Sequence, residues 1–242
     1  MNVGCIIAGG VGKRFGASIP KQFIEVEGRP IIAHTMRRFE DAPDIDAYIV
    51  VCLESYLDEV QTYGNRYGFS KVIDVVAGGE SFGESVRSGV YGLEPYCDDE
   101  DIFIMHMSIA PLVPDEILHD VVEVCRKCGN AFSAEPSYMC MCQLDGERSS
   151  ATYLDREVLF GLNTPQAVRY GTIKDLYRRA EDDGYDLRER PHMSTLLFDY
   201  GVRVFFSEST PINIKITTQD DLKLLKAFLL MQRQDEEKGS AC

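Results

Sequence analysis

The sequence contains no hydrophobic run that approaches the roughly 18 residues of a membrane-spanning helix. Its opening residues, MNVGCIIAGG, also lack the charged region and the cleavage site of a secretory signal peptide. We therefore expect a cytoplasmic protein rather than a membrane or secreted one.

Positive charge is scarce in this chain. Lys and Arg together number 25 against 39 Asp and Glu, which gives a formal net charge of −14. Nucleic acids and anionic membranes both favour basic surfaces, so this balance argues against either as the main partner. An anionic ligand would have to be held by a local group of basic residues.

A secreted disulfide framework is also absent, because eight cysteines are spread over 242 residues. Cys5 and Cys52 lie in apolar runs, where a free thiol behaves as a small hydrophobic side chain. Four others have the paired spacing of a zinc site: Cys125, Cys128, Cys140 and Cys142. The first pair lies in a helical pattern and the second in a strand pattern, which disfavours a shared metal.

The chain does show a regular alternation of short apolar runs and segments of helical spacing. This order predicts an α/β fold with a doubly wound, mostly parallel sheet, whose ligands bind beyond the carboxyl ends of the strands. We place one domain at residues 1–234 and a disordered tail at 235–242. The predicted strands are 3–8, 48–53, 72–77, 102–106 and 202–207, with 131–134 as a further candidate. The predicted helices are 30–39, 55–67, 81–93, 114–128, 170–182, 193–199 and 218–232.

Glycines and cations are concentrated where the first predicted strand ends. Residues 6–23 read IIAGGVGKRFGASIPKQF. They include four glycines and three cations: Gly9, Gly10, Gly12 and Gly16, with Lys13, Arg14 and Lys21. Glycine lets backbone N–H groups approach a ligand, and the cations suit phosphate oxygens. The stretch differs from a Walker loop and from a full G-x-G-x-x-G motif, but it predicts a nucleotide or sugar-phosphate site.

A β-hairpin is predicted between residues 138 and 154, with a two-residue turn at Asp145-Gly146. A hairpin that leaves an α/β domain has to bury one of its faces. Its mixture of Met139, Cys140, Met141 and Tyr153 suits contact with another protein. We expect this arm, residues 135–158, to mediate homodimerisation.

With its PKQF ending, the stretch at residues 6–23 resembles the signature of nucleotidyltransferases that activate sugars and polyol phosphates. It is most similar to the 2-C-methyl-D-erythritol 4-phosphate cytidylyltransferase family of isoprenoid biosynthesis and to the related ribitol-5-phosphate cytidylyltransferases. The resemblance implies a nucleotide-diphospho-sugar transferase type of fold and a homodimer that exchanges its arms. It also implies transfer of CMP from CTP to a polyol phosphate, with release of pyrophosphate.

The resemblance gives roles to residues on the nucleotide side. It implies that Arg14 and Lys21 hold the triphosphate and stabilise charge on the α-phosphoryl group. Gly79 and Ser85 match positions that receive the cytosine and ribose, although the alternative for this stretch is helix capping by Ser81. The other implied nucleotide-binding residues are Ala8, Gly9, Gly10 and Gly12.

Residues on the acceptor side match as well. Arg156 corresponds to an arginine that the family sends across the dimer to the substrate phosphate, and Lys215 corresponds to a lysine that meets the polyol phosphate. From sequence alone, each could instead be a solvated charge. Residues 164–166 match the family's Thr-Pro-Gln motif, and Cys140 replaces a threonine of the hairpin.

Two further departures from the family concern the metal and the acceptor. The family carries an aspartate that holds Mg²⁺ and a nearby arginine, where this chain has Met107 and Ala110. Since a thioether is a poor ligand for a hard cation, we expect Mg²⁺ to be held mainly by CTP, with His106 or Ser108 as the candidate helpers. A Thr-Asp pair of the family becomes residues 191–192, Pro-His.

Two alternatives to this function stay open. The chain could be a catalytically impaired homologue that binds a nucleotide or regulates a partner, because it lacks the metal-binding aspartate. It could also use another nucleotide, because residues 78–85 do not fix the base. Retention of four basic residues favours catalysis: Arg14, Lys21, Arg156 and Lys215.

Overall fold

The structure is a computed structural model that describes residues 1–10 and 19–239, with side chains as far as residue 234. The strands are β1 (Asn2–Ala8), β2 (Glu25–Val26), β3 (Arg29–Pro30), β4 (Ala47–Cys52), β5 (Val72–Ala77), β6 (Ile102–Met107), β7 (Asn130–Pro136), β8 (Met141–Gln143), β9 (Thr152–Leu154), β10 (Phe160–Arg169) and β11 (Phe206–Ser207). The helices are α1 (Ile31–Asp41), α2 (Leu57–Tyr67), α3 (Phe82–Gly92), α4 (Asp115–Cys128), α5 (Tyr170–Asp182), α6 (Met193–Asp199) and α7 (Gln219–Gly239).

In this described part of the chain, seven strands form one sheet in the order β11-β7-β10-β6-β1-β4-β5. β1 pairs in parallel with β4 and β6, and β4 pairs in parallel with β5. β7 and β11 are also parallel, whereas β10 runs antiparallel to both β6 and β7. The expected doubly wound, mostly parallel α/β fold is confirmed.

Helices cover both faces of the sheet, and alternate side chains of β1 pack on the two faces. Ile6 packs in a cluster with residues of α1, α2 and α4, while Cys5 packs with residues of α3, α5 and α6. Burial on both faces explains why the central strands are continuous apolar runs. A third cluster forms where Leu222 and Leu225 of α7 pack against Val26 and Ile31.

The sequence-based prediction missed β10 and the short strands β2 and β3, and it misplaced two boundaries. β10 lies in the centre of the sheet but was not predicted. The predicted strand at 202–207 is reduced to β11, so that prediction was wrong for 202–205. The helix predicted to begin at residue 55 begins at Leu57, because a 3₁₀ turn at Glu54–Tyr56 precedes it.

The arm is present as the β8–β9 hairpin, but its turn differs from the prediction. Residues 144–151 connect the two strands in place of a two-residue turn, and the Asp145 carboxylate accepts hydrogen bonds from Ser149 Oγ (2.9 Å) and the Ala151 N–H (2.7 Å). β7 and β10 still pair at Pro136 and Phe160, so the arm leaves the sheet between them.

The carboxyl end of the chain also differs from the prediction. α7 continues to Gly239, so the expected disordered tail was wrong for residues 235–239. No helix among the described residues is long and apolar enough to cross a membrane.

Candidate active site

Several predicted site residues lie at the carboxyl edge of the sheet. Ala8 is in register with Cys52 at the end of β4, which in turn pairs with Ala77 at the end of β5. On the other side of β1, Ile7 pairs with Met107 at the end of β6. Because parallel strands end on the same edge, the segments that follow β1, β5 and β6 converge there.

Ser85 joins two of these glycine segments. Its Oγ accepts a hydrogen bond from the Gly79 N–H at 3.2 Å and donates to the Ser81 carbonyl at 2.9 Å. A Cβ built on Gly9 or on Gly78 would lie 2.7 Å from the same Oγ, so any other residue type would force the Ser85 side chain or its surroundings to shift. The fold therefore brings Gly9, Gly79 and Ser85 together, as a shared nucleotide site would require.

Ser81 caps α3, so the capping alternative is also correct for that residue. Its Oγ accepts from the Glu84 N–H (3.1 Å), and the Glu84 carboxylate accepts from the Ser81 N–H (2.8 Å), forming a complete capping box. Capping by Ser81 leaves Ser85, one turn later, facing the glycines. Ser81 thus carries the helix cap, and the role of Ser85 toward a nucleotide stays a prediction.

Lys21 lies in a 3₁₀ turn, Lys21–Phe23, directly after Pro20. The next residue, Gln22, is buried and its amide donates to the carbonyls of Ala8 (2.7 Å) and Gly10 (2.8 Å). Gln22 was not predicted as a site residue, although a glutamine inside the PKQF motif was visible in the sequence. Gly12 and Arg14 lie outside the described residues, so their roles stay predictions.

On the side where the acceptor is expected, Asn213 lies beside the middle of β10. The Asn213 amide donates to the Thr164 carbonyl at 2.5 Å, and the Gln166 amide donates to the Asn163 carbonyl at 3.0 Å. Thr164 Oγ1, Gln166 Oε1 and Asn213 Oδ1 are buried with no hydrogen-bond partner among the described residues. Lys215 is exposed two residues beyond Asn213.

Arg156 and Cys140 lie on the arm and are exposed in the single chain. The Arg156 guanidinium donates to the Tyr138 carbonyl at 3.0 Å and pairs with Glu157 at 3.4 Å. These contacts hold Arg156 at the base of the arm. Its role across a dimer, and that of Cys140, stay predictions.

The comparison with known families is decisive for the kind of protein. Residues 3–231 match the family described as 2-C-methyl-D-erythritol 4-phosphate cytidylyltransferase, or IspD. The chain belongs to this family. The resemblance of residues 6–23 is therefore confirmed over almost the whole chain.

Curated relatives within the cytidylyltransferase family have two different names. A ribitol-5-phosphate cytidylyltransferase from Lacticaseibacillus paracasei is 36% identical over 224 residues, which cover 93% of this chain and 96% of that protein. A 2-C-methyl-D-erythritol 4-phosphate cytidylyltransferase from Acidobacterium capsulatum is 32% identical over 234 residues, which cover 93% of this chain and 95% of that protein.

Solved structures of cytidylyltransferases share the fold. The 4-diphosphocytidyl-2C-methyl-D-erythritol synthase of Anaerococcus prevotii aligns with a TM-score of 0.78 at 23% identity, over 95% of this chain and 96% of that one. The 2-C-methyl-D-erythritol 4-phosphate cytidylyltransferase of Francisella tularensis aligns with a TM-score of 0.75 at 23% identity, over 93% and 98%. The arrangement of sheet and helices is common to all three chains.

In this cytidylyltransferase, the end of β6 does not suit a hard cation. Met107 is half-buried and packs against the apolar cluster that includes Val26 and Ile31. Ala110 is buried, and the Ser108 carbonyl already accepts a hydrogen bond from Thr35 Oγ1 at 2.7 Å. Mg²⁺ prefers oxygen ligands with room for water, so these residues do not fit a protein-held magnesium site.

His106, the other candidate helper, is committed to the core. Its Nε2–H donates to the Ala110 carbonyl at 2.9 Å, and the ring packs against Phe39 at 5.4 Å between centroids. Burial lowers the pKa of the imidazole to about 4, so the ring is neutral near pH 7. A wholly buried ring has no open path to a metal–triphosphate complex.

The cysteines do not form the alternative metal centre. Cys125 is buried in α4, whereas Cys128, Cys140 and Cys142 are exposed. No three His, Cys, Asp or Glu side chains come together as a metal site in the part of the chain that the structure describes. The alternative zinc site of four cysteines therefore has no support from the geometry.

Residues 187–192 pack over the start of α3. A Cβ on Gly83 would lie 3.0 Å from the carbonyls of Leu187 and Pro191, and the His192 ring lies 5.9 Å from that of Phe82. Arg188 pairs with the Glu80 carboxylate at 2.6 Å. The Pro-His departure from the cytidylyltransferase pattern therefore lies beside the segment that carries Gly79 and Ser85.

Proposed function

We propose that this protein transfers a cytidylyl group from CTP to a polyol phosphate and releases pyrophosphate. The observation that carries the proposal is the family match over residues 3–231, together with relatives that act on ribitol 5-phosphate or 2-C-methyl-D-erythritol 4-phosphate. The convergence of Gly9, Gly79 and Ser85 at the carboxyl edge supports a nucleotide site in the expected place.

In the reaction, an oxygen of the acceptor phosphate attacks the α-phosphorus of CTP in line. The new P–O bond forms as the bond from the α-phosphorus to the bridging oxygen breaks, and pyrophosphate leaves. The nucleophile is already ionised, so catalysis depends on positioning and on positive charge rather than on a general base. We assign that charge to Lys21 and Arg14 on the nucleotide side.

We assign the acceptor phosphate to Lys215 and to Arg156. Support for the Lys215 side comes from its exposed position two residues beyond Asn213, whose amide binds the Thr164 carbonyl of the Thr-Pro-Gln motif. Arg156 is on the arm, so we propose that it reaches the site of a second copy. The arm then contributes to catalysis as well as to dimerisation.

Exposed apolar side chains support this homodimer. Tyr138, Met139, Tyr153 and Val158 are between 64% and 75% exposed in the single chain. Such a surface on an extended hairpin is typical of a protein interface. We therefore propose a homodimer through residues 135–158.

We propose that Mg²⁺ enters the site with CTP and is held mainly by the triphosphate, because the end of β6 offers Met107 rather than a carboxylate. We further propose a cytoplasmic location. The seven cysteines in the described residues are free thiols, which suits a reducing compartment.

The apolar environment of Met107 also favours a second candidate, a nucleotide-binding homologue without turnover. Both candidates are tested by pyrophosphate release with CTP and Mg²⁺ against a panel of methylerythritol, ribitol, erythritol and glycerol phosphates. Release that depends on one acceptor supports the transferase and identifies its substrate. CTP binding without release on any acceptor supports the second candidate.

A further inference from the structure

Gln22 is a polar side chain beside the glycine segment, and it is only 1% exposed. A primary amide carries two N–H hydrogens, and here the Nε2 atom lies 2.7 Å from the Ala8 carbonyl and 2.8 Å from the Gly10 carbonyl. Both donors of the amide are thus used on the backbone of the glycine segment. These bonds span 12 and 14 residues of sequence, so they are tertiary contacts.

The two carbonyls flank Gly9, and this fixes the backbone at the end of β1. Because a peptide unit is planar and trans, holding the Ala8 carbonyl toward Gln22 turns the Gly9 N–H to the opposite side. Ser85 also packs against Gly9, since a Cβ on Gly9 would lie 2.7 Å from Ser85 Oγ. Gly9 therefore contacts Ser85 and lies between two carbonyls that bind Gln22.

The same residue fixes Lys21 relative to this backbone. Lys21, Gln22 and Phe23 form one 3₁₀ turn, closed by the Phe23 N–H, which donates to the Pro20 carbonyl at 2.9 Å. The Phe23 ring stacks on Tyr56, with centroids 3.9 Å apart and ring planes 6° from parallel. These contacts therefore hold the Lys21 backbone at a fixed position relative to the glycine segment.

We propose that Gln22 is a positioning residue for cytidylyl transfer: its amide holds the Gly9 backbone and the Lys21 turn in one arrangement that receives the triphosphate of CTP. The inference rests on the proposed function, because it needs CTP as the ligand. Gln22 does not touch the nucleotide in this scheme. It acts through the carbonyls of Ala8 and Gly10.

The test compares Gln22→Met with Asn130→Leu, each of similar size to the residue it replaces. Asn130 is also buried, and it also makes two side-chain hydrogen bonds to backbone atoms, at Arg203 and Phe205. It lies at the opposite end of β7 from the site. Both variants lose two side-chain hydrogen bonds to the backbone, but only Gln22→Met loses those at the glycine segment.

Calorimetry would measure the dissociation constants of CTP and CMP for each folded protein. We expect Gln22→Met to raise the dissociation constant of CTP by about tenfold or more and that of CMP by about twofold or less, because alignment of the full triphosphate is lost. Asn130→Leu should leave the ratio of the two constants unchanged. Partial unfolding lowers the number of sites rather than this ratio, so a purely structural role for Gln22 would not change it.

Gln22→Glu separates hydrogen bonding from shape. A carboxylate of the same size cannot donate and repels both carbonyls, so CTP should bind to it more weakly than to Gln22→Met near neutral pH. As pH falls through the raised pKa of a buried carboxyl group, protonation restores one donor and part of the CTP affinity should return. No such recovery is expected for Gln22→Met.

If the ratio of the CTP and CMP dissociation constants is unchanged in Gln22→Met, the positioning role is overturned while the proposed function stays intact. Wild-type protein that fails to bind CTP would overturn both, and the two failures are distinguished by the wild-type titration alone.

Discussion

Gly9 and Ser85 touch across the carboxyl edge of the sheet, so closely that a β-carbon on Gly9 would lie 2.7 Å from Ser85 Oγ. This contact joins the segment after β1 to the first turns of α3. Both residues are proposed to bind the nucleotide. The geometry of their contact should therefore affect both the stability of the fold and the binding of CTP.

Gly9→Ala should lower the free energy of unfolding by about 1–3 kcal/mol, because the new methyl overpacks against the Ser85 hydroxyl. It should also weaken CTP binding. Adding Ser85→Ala removes the clashing oxygen, so the Gly9→Ala penalty in urea denaturation should shrink in that background. Gly161→Ala is the matched control, since its new Cβ would meet only a carbonyl at 3.9 Å. Equal penalties for Gly9→Ala with and without Ser85 would contradict the contact.

Met107→Asp should restore a hard ligand at the end of β6. We expect the Mg²⁺ concentration for half-maximal pyrophosphate release to fall about tenfold or more, because a carboxylate would then share the cation with the triphosphate. The change should cost about 1–3 kcal/mol of stability, since Met107 packs in an apolar cluster. Met107→Leu keeps the apolar contact and should leave the Mg²⁺ dependence as it is. The proposal that CTP alone holds the metal fails if wild type and Met107→Asp respond identically to Mg²⁺.

The arm should place Arg156 in the site of a second copy. Lys21→Ala and Arg156→Ala should each be nearly inactive, but dimers formed by refolding an equal mixture should recover about a quarter of wild-type activity. Half of those dimers are mixed, and one of the two sites in each mixed dimer has both residues intact. Pyrophosphate release before and after mixing measures the effect, and no recovery would mean that the two residues act within one chain.

Dimerisation itself should depend on the apolar arm. Tyr153→Lys together with Val158→Lys should give a monomer in size-exclusion chromatography with light scattering, because both exposed side chains would carry charge into the interface. Leu224→Lys, at an equally exposed apolar position on α7, is the control and should stay dimeric. A wild-type protein that elutes only as a monomer at micromolar concentration would contradict the arm's role.

His106 should make the fold sensitive to acid. The pKa of its buried ring is lowered from 6.5 to about 4, so the unfolded chain binds this proton more readily than the folded one. The contribution of the neutral ring to the free energy of unfolding is therefore fully present above pH 6.5. It is lost progressively as the pH falls toward 4, by about 3 kcal/mol in all. Urea denaturation at pH 7 and pH 5 should show a smaller difference for His106→Gln than for wild type. An equal difference would mean that other groups cause the acid sensitivity.

Much of the fold could be read from the sequence because local patterns and tertiary burial agree. β1, β4 and β6 are buried on both faces and therefore appear as continuous apolar runs. β10 was not predicted because its first residues are exposed and its middle carries polar residues at 163–166. No single hydrophobic periodicity therefore indicates a strand there. The prediction of a two-residue turn at 145–146 was wrong for a related reason. Hydrogen bonds donated to the Asp145 carboxylate stabilise a longer loop than the Asp-Gly rule predicts.

The sequence by itself determined the family and the α/β class, because glycines, cations and short motifs carry that information locally, and the same motifs predict the site residues. Only the tertiary structure decided that Gln22 holds the glycine segment, that Ser85 rather than Ser81 faces Gly9, and that Met107 is packed in apolar surroundings. The physical reason is separation along the chain. Each of those relationships joins residues whose contact depends on how strands and helices pack, and no local pattern encodes it.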